Sequence, residues 1–325
     1  MNSQQLPRID TQKQGFPWNE ESDASLYQDR QYAKLSIVVP SYNQGHFIEE
    51  TLRCILLQNY PNLELIVMDG GSTDETIKVL ETYNDFIDFW ISEKDDGQSD
   101  AINKGLKRAT GDWLAFMNSD DGYLKDAFSR IFTHVPTDTD FIYGNQGYVG
   151  KTMQDAQLRI SKNIYPLSVP RLLRFFKDVN NIIPSQSVFF SRKLIEEIGF
   201  YDQELHYGMD FEWYVRAALT KPKTHFTDFP TYFYRLDEHA KTAKYHWRGF
   251  HEVVAIARKY ARYLSKSDRK RLEEEIAYDI ELRKVFSDGK ATNFTTFKDW
   301  FLASPKDAIK DRRYWGMVKK HILKS

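Results

Sequence analysis

The sequence predicts an α/β protein, a mostly parallel sheet flanked by helices, with a helical C-terminal extension. Three observations predict it. Short apolar runs alternate with segments of helical periodicity between residues 35 and 117. Each apolar run ends in a polar cluster, so the clusters share one edge of the sheet that the runs build. The charge then reverses along the chain. Residues 1–240 carry 24 Lys and Arg against 35 Asp and Glu, a balance of −11, whereas residues 241–325 carry 21 against 11, a balance of +10. An acidic body followed by a basic tail points to two parts with different work.

The elements follow in order. Residues 1–34 are polar, are interrupted by Pro7 and Pro17, and read as an extended arm pinned by Phe16 and Trp18. Leu35 to Pro40 is a strand of the buried type, and a helix runs from about His46 to Gln58. Leu63 to Met68 is the second strand, closing on Asp69-Gly70-Gly71. Ser72 and Glu75 have the spacing of a capping box, which starts a helix reaching about Tyr83. Phe86 to Ile91 is a third strand, Gln98 to Arg108 a helix, and Trp113 to Met117 a strand that stops at Asn118-Ser119-Asp120-Asp121. This alternation implies right-handed crossovers with helices on both faces of the sheet.

Beyond Phe141-Ile142-Tyr143-Gly144 the pattern loosens. Strands are expected near 146–162, a helix near 168–176, a strand over Ser187 to Phe190 and a short helix from Arg192 to Ile198. Asp210 opens a further helix to Leu219, and the remainder reads as helix through 245–264 and 267–286, with an amphipathic stretch near 306–323. The organisation is therefore an arm over 1–34, a catalytic-size α/β body over 35–244 and a basic helical region over 245–325.

The bulk properties exclude several classes. With 325 residues, 41% of them hydrophobic, the chain supports a real core. Its single Cys54 excludes an internal disulfide framework, fits a reducing compartment, and lies at helical spacing among apolar residues as a core thiol. The first residues hold no apolar stretch, so no signal peptide is expected, and no apolar run reaches the ~18 residues that span a bilayer. A cytoplasmic protein is expected. Nucleic acid is disfavoured as a partner because the body is acidic and carries no recognisable RNA or DNA module.

The four strand ends carry the chemistry: Pro40-Ser41-Tyr42-Asn43, Asp69-Gly70-Gly71, Asp95-Asp96-Gly97 and Asp120-Asp121. Adjacent carboxylates repel each other, and a hard divalent cation such as Mg²⁺ or Mn²⁺ relieves that repulsion and in turn holds phosphates. The plain alternative is a polar turn with Asp as a helix N-cap. Pro-Ser-Tyr-Asn after the first strand replaces the Gly-x-Gly-x-x-Gly of a nicotinamide-dependent Rossmann enzyme, and the Gly- and Arg-rich first loop of a nucleotidyltransferase is absent.

These blocks, with Asp96-Gly97-Gln98-Ser99-Asp100-Ala101-Ile102-Asn103-Lys104-Gly105, resemble the motifs of family 2 glycosyltransferases, in order from about residue 35 to 242. The resemblance implies a GT-A fold, a nucleotide-sugar donor, a Mg²⁺ or Mn²⁺ ion and inversion at the anomeric carbon. It implies that Pro40 and Tyr42 wall the base, with Asn43 and Gly71 from the same blocks in the donor site. Asp69 would accept from a base N–H or ribose hydroxyl, and Asp96 precedes a glycine that allows close approach. Asn103 and Lys104 would reach the ribose or diphosphate, with an ordinary solvated lysine as the alternative for Lys104. Asp120 would face the ribose and Asp121 the metal. UDP is favoured as the donor nucleotide, with GDP and dTDP open.

An inverting transfer needs a base opposite the leaving group. The family register points to Asp210, with Glu212 as the weaker alternative, although Met209 stands where relatives commonly carry Glu. In Tyr234-Arg235-Leu236-Asp237-Glu238-His239, Asp237 occupies the position where relatives often carry His. Asp237 or His239 would complete the metal site, and Arg235 or Lys241 would contact phosphate or stay solvated on the surface. The family's acceptors are saccharides or lipid-linked sugars. Phe294, Phe297, Trp300, Phe301 and Trp315 among Lys298, Lys306, Lys310, Arg312, Arg313, Lys319 and Lys320 suit a peripheral contact with anionic lipid. The competing reading is a non-catalytic binder that retains the nucleotide site, for which Met209 and Asp237 speak.

Overall fold

A computed structural model describes residues 2–8, 12–27, 31–149, 167–174, 183–235 and 247–287. The apolar runs form the parallel half of the sheet. Strands β1 (Leu35–Ser41), β2 (Leu63–Asp69), β3 (Phe89–Ser92) and β4 (Trp113–Phe116) lie in the order β3-β2-β1-β4, all parallel. Helices α1 (Ile48–Leu56), α2 (Thr76–Thr82) and α3 (Gln98–Arg108) are the crossovers. A parallel strand covered on both faces needs apolar side chains at consecutive positions. That is why β1 is buried along its whole length and reads as a run instead of an alternation.

The other half continues from β4 and changes direction. There β4 pairs antiparallel with β7 (Phe189–Ser191) and β7 antiparallel with β6 (Phe141–Val149). In turn β6 runs parallel to β8 (Thr224–Arg235), and β8 is antiparallel to β5 (Gly122–Tyr123). Among the described residues the sheet has eight strands, and parallel pairs outnumber antiparallel ones. Helices α4 (Ala127–Phe132), α5 (Val169–Leu172), α6 (Arg192–Ile198), α7 (Met209–Thr220) and α8 (Trp247–Tyr260) complete this unit, Met1–Tyr260. The second unit, Ala261–Ser325, contains α9 (Lys266–Ser287), whose start is capped by Ser265 Oγ accepting from the Asp268 N–H at 3.0 Å.

Aromatic packing joins the halves. Tyr123 meets Phe128 at 4.6 Å between ring centroids, and Phe189 at 5.7 Å. Trp213 of α7 is fully buried against Phe190 at 4.6 Å and Tyr201 at 5.5 Å, which seats α7 on the sheet. Rings in such offset and edge contacts add to the free energy of area burial. Cys54 is buried, and burial pushes its thiol up, as befits a core residue.

The arm is pinned by more than Phe16 and Trp18, although both are buried. Arg53 on α1 is fully buried and donates to the carbonyls of Ser3, Pro7, Pro17 and Trp18 and to the Tyr83 hydroxyl, at 2.7–3.1 Å. A buried guanidinium left without acceptors would be costly, so the arm's backbone and α1 hold each other.

Three expectations are corrected. The helix expected at Ser72 starts at Thr76, because Asp74 supplies the cap: its Oδ1 accepts from the Thr76 N–H at 3.0 Å, while Ser72 turns to Asp69. The third strand starts at Phe89, since Asn84–Phe86 is a 3₁₀ turn. The twelve-residue β8 was not expected at all. Its Pro230 argues against a central strand, yet the ladder tolerates it at a register irregularity facing Gly144 to Gln146 of β6.

Candidate functional site

The sheet delivers the strand ends to one edge. Ser41 pairs in register with Asp69, and Asp69 with Ser92, while the Met117 N–H bonds to the Val38 carbonyl at 2.9 Å, so residues 118–121 emerge beside them. Asp69 is buried and accepts from the Gly71 and Ser72 N–H groups and from the Ser72 and Ser92 hydroxyls, at 2.5–3.1 Å. Asn43 ties this loop to the first strand end, donating its N–H to Ser72 Oγ at 2.7 Å and accepting from the Thr73 N–H at 2.9 Å. Asp69 and Asn43 thus build the wall of the edge. Tyr42 is 60% exposed on that edge, whereas Pro40, expected beside it as a wall, is buried within β1.

The donor residues expected on α3 do other work. Asn103 is buried, with Nδ2 donating to the Tyr201 carbonyl at 2.8 Å and Oδ1 accepting from the Tyr201 N–H at 3.0 Å. Both sides of its amide bind the Tyr201 backbone. Lys104 pairs with Asp100 at 3.1 Å and Glu93 at 3.3 Å, the solvated alternative. Asp96 is exposed, and Gly97 beside it sits at φ 106°, a conformation that favours glycine. A Cβ there would meet no atom within 4 Å, so the approach to a cavity of about 370 Å³ lined by Asp96, Gln98 and Tyr207 stays open.

The carboxylate pair is held in place by β8. Asp121 is 1% exposed; its Oδ1 accepts from the Arg235 N–H at 2.8 Å, and its Oδ2 is buried without a hydrogen-bond partner. Burial and the adjacent Asp120 push its pKa well above the usual carboxylate range, against the opposing charge of Arg235. The Arg235 side chain donates to the Asp120 carbonyl at 2.8 Å and to Glu50 at 2.9 Å, and lies 4.7 Å from the Phe47 ring. Its guanidinium is 1% exposed, so it braces the pair instead of reaching a phosphate. No helix starts at the pair, because Gly122 and Tyr123 enter β5 and pair with β8. An added Cβ at Gly122 would lie 2.7 Å from the Phe233 ring and 2.8 Å from Cys54 Sγ, so only glycine fits that contact.

A second cavity, of about 390 Å³, opens beside the pair. Asn118, Gln98, Asp210, Tyr148 and Tyr234 are among its walls. Asp210 lies in the first turn of α7 and is half-buried. Burial raises the pKa of Tyr232, and the charges of Asp121 and Asp210 add to that. Tyr201 and Tyr214 are raised too, by burial first, with the charge of Asp210 adding to each. Glu212, the weaker alternative base, is engaged elsewhere. It is buried, pairs with Arg216 at 2.8 Å, and accepts from the Tyr260 hydroxyl at 2.5 Å.

Two supports of Asp210 were not legible in sequence. Glu252 on α8 accepts from the N–H groups of His206, Tyr207 and Gly208 at 3.0, 2.7 and 2.7 Å, placing a carboxylate at the start of α7, where it is electrostatically favourable. Ser99 on α3 donates to the Leu205 carbonyl at 3.0 Å and to Met209 Sδ at 2.7 Å. Met209 is buried there, so its presence has a packing reason. Helix periodicity carries no signal for contacts between residues more than forty positions apart.

A metal fits this chain in part. Asp121 Oδ2 is the orphaned buried oxygen that a cation satisfies, with Asp120 beside it. Among the described residues no group of three or more His, Cys, Asp and Glu is placed to hold an ion. Asp237 and His239, either of which was expected to complete the set, and Lys241 lie outside the described residues, as does the aromatic–basic tail beyond 287. Among the described residues no helix is long and apolar enough to cross a membrane.

The model of Glycosyl transferase family 2 matches residues 36–199, just over half of the chain. The chain belongs to that family. It is 29% identical over 191 residues to an uncharacterised glycosyltransferase of Mycobacterium tuberculosis, covering 57% of this chain and 69% of that one. To WfgD of Escherichia coli, a UDP-Glc:alpha-D-GlcNAc-diphosphoundecaprenol beta-1,3-glucosyltransferase, it is 37% identical over 113 residues, 34% of this chain and 45% of that one. The fold matches TarS 1–349 of S. aureus in complex with UDP-GlcNAc with a TM-score of 0.60 at 17% identity, covering 85% of this chain and 80% of that one. It also matches the mannosyltransferase PcManGT from Pyrobaculum calidifontis in complex with GDP-Man and Mn²⁺, with a TM-score of 0.57 at 17% identity, covering 92% and 90%. The fold is GT-A, and the family 2 glycosyltransferase expected from the motifs is what the chain is.

Proposed function

We propose that this glycosyltransferase is metal-dependent and inverting, and that it moves a hexosyl or hexosaminyl group from a nucleotide-sugar donor to a saccharide or lipid-linked acceptor in cell-surface polysaccharide or glycolipid assembly. The observation that carries this reading is one cavity whose walls include both Asn118, in the segment that ends at Asp120-Asp121, and Asp210 at the start of α7. Asp121 is braced against β8 through the Arg235 N–H. Transfer with inversion needs charge neutralisation at the leaving diphosphate and proton removal at the incoming hydroxyl, on opposite sides of the sugar.

In this reading Tyr42 and Asp96 face the nucleotide, on the wall that Asp69, Asn43 and Gly71 shape. Asp121 and Asp120 would hold Mg²⁺ or Mn²⁺, which when bound supplies charge neutralisation at the diphosphate. Asp210 accepts the proton of the acceptor hydroxyl. Glu252 and Ser99 keep its helix start in register with α3. The donors in complex with TarS and PcManGT, the Mn²⁺ of the latter and the diphosphoundecaprenol-linked acceptor in the name of WfgD support this reading. UDP is the favoured nucleotide, with GDP and dTDP as the alternatives.

Release of nucleoside diphosphate from UDP-, GDP- and dTDP-sugars, measured with Mn²⁺ and with a chelator, tests the proposal. One donor class turned over only with metal is the expected result; turnover of none, or equal turnover in chelator, contradicts it. Peripheral attachment through the basic tail belongs to the same reading. Co-sedimentation of the full chain with anionic vesicles checks it, and equal recovery with neutral vesicles counts against it.

A further inference from the structure

We infer that the cavity beside Asp210 is the acceptor subsite and that it is built for an uncharged pyranoside, one of whose oxygens accepts a hydrogen bond from Tyr148. The inference rests on Asp210 being the base, and goes beyond it by naming the ring that is held there.

The register of β6 and β8 makes the site. Gln146 pairs with Tyr232 and Tyr148 with Tyr234, immediately after the register irregularity at Gly144 to Gln146. Alternate residues on a strand share a face, so these four side chains form one patch, and the irregularity re-aims it. The patch lines the cavity together with Phe211 and Asp210.

Hydrogen bonds give the patch a direction. The Tyr232 hydroxyl donates to Gln146 Oε1 at 2.5 Å. That fixes the Gln146 amide, whose Nε2 donates to the Tyr148 oxygen at 2.5 Å. Tyr232 is 1% exposed, and Gln146 Oε1 is the acceptor its buried hydroxyl reaches. Reversal of the relay would need Tyr232 to accept from the amide while its own proton lost its partner in the interior. Tyr148 therefore receives one hydrogen bond and turns its own O–H to the cavity. It is a half-buried donor in search of an acceptor oxygen.

The remaining wall suits a sugar ring. Tyr148 and Tyr234 pack edge-to-face at 6.2 Å, both half-buried, and Phe211 is half-buried on the same cavity. A pyranose has apolar C–H faces and a polar rim, which match rings interleaved with amides. Among the described residues that line the cavity, Asp210 is the sole carboxylate, no Lys or Arg is present, and His206 is the one group able to take a positive charge. A uronate or phosphate in this place would lose water beside a like charge, with only an imidazole among these residues to offset it.

The test titrates the full chain, saturated with UDP and Mn²⁺, with p-nitrophenyl glucoside, galactoside, mannoside, N-acetylglucosaminide and glucuronide by calorimetry. At least one neutral glycoside binds, the glucuronide binds about tenfold more weakly or worse, and Tyr148→Phe weakens the neutral ligand about tenfold without changing UDP affinity or melting temperature. Gln146→Leu, which frees the Tyr148 hydroxyl from its fixed direction, gives a smaller loss of the same kind. Glucuronide binding as tight as the neutral one, unchanged affinity in Tyr148→Phe, or no binding by any neutral glycoside overturns the inference. Donor turnover by the unaltered chain separates the two readings. Its absence removes the transferase proposal whether or not glycosides bind, whereas turnover with an indifferent Tyr148 removes this inference alone.

Discussion

The two halves of the sheet are organised by different kinds of contact. In the parallel half, β3-β2-β1-β4, the polar residues at the ends of β1 and β2 bond to residues close by in the chain or in the adjacent loop. Asp69 binds Gly71, Ser72 and Ser92, and Asn43 binds Ser72 and Thr73. In the other half the candidate residues lie on strand faces and at a helix start, supported from far along the chain. Arg235 braces Asp121 across 114 positions, and Glu252 holds the turn before Asp210 across more than forty. The first half is a preformed wall; the second is an assembly whose parts must all arrive. Disturbance of the wall should act on donor affinity, and disturbance of the assembly on turnover.

The largest effect is expected where the halves meet. Asp121→Asn keeps the shape and the acceptor for the Arg235 N–H but removes the charge. Metal-dependent turnover should fall on the order of 10³-fold. The metal-free protein should melt at the same temperature or higher, because a buried carboxylate next to Asp120 is relieved of repulsion. Thermal melting with and without Mn²⁺ and UDP checks both halves of that prediction, and a metal-induced rise as large as in the unaltered chain would refute it.

Glu252→Ala comes next and sharpens the comparison. Three N–H groups at the start of α7 lose their acceptor, at a cost of about 1–2 kcal/mol in stability. The expected outcome in steady-state kinetics is a fall in kcat of about 10–100-fold with the donor KM within twofold of the original. A change confined to donor KM would place α8 with the wall.

The smallest effect on turnover lies at the opposite end of β2 from the wall and is one of pH. Burial alone would raise the pKa of Glu64, but hydrogen bonds from Lys34, Ser36 and Thr110 overcome it and bring it down to about 2. Its folded pKa is thus below the ordinary value of 4.5, so its contribution to stability is complete above that value and fades as pH falls toward 2. Glu64→Gln should destabilise the chain by about 1–3 kcal/mol at neutral pH, a gap that closes in acid denaturation series below pH 4.5. A gap that is constant with pH would show that Glu64 is not held as an anion.

The same contrast explains what the amino-acid sequence disclosed. Helices Gln98–Arg108 and Arg192–Ile198 fall where periodicity placed them, and the four strand ends meet on one edge, because local patterning governs both. Contacts that depend on tertiary reach could not be read in advance. Asn103, expected at the donor, bonds to Tyr201; Arg235, expected at phosphate or on the solvated surface, bonds to Glu50 and Asp120. Strand β8 was hidden by Pro230, although its Thr, Phe and Tyr content is that of a strand. The patch of Gln146, Tyr148, Tyr232 and Tyr234 exists only once β8 lies beside β6, so no spacing in the sequence could announce it.

The central claim is that the two halves divide the reaction, with the donor on the wall and proton removal at Asp210. Asp210→Asn tests it most directly, through donor affinity by titration and transfer by nucleoside diphosphate release in the same protein preparation. Donor affinity should stay within about twofold of the original while transfer falls on the order of 10³-fold. Unchanged transfer, or a loss of donor binding as large as the loss of transfer, would contradict it.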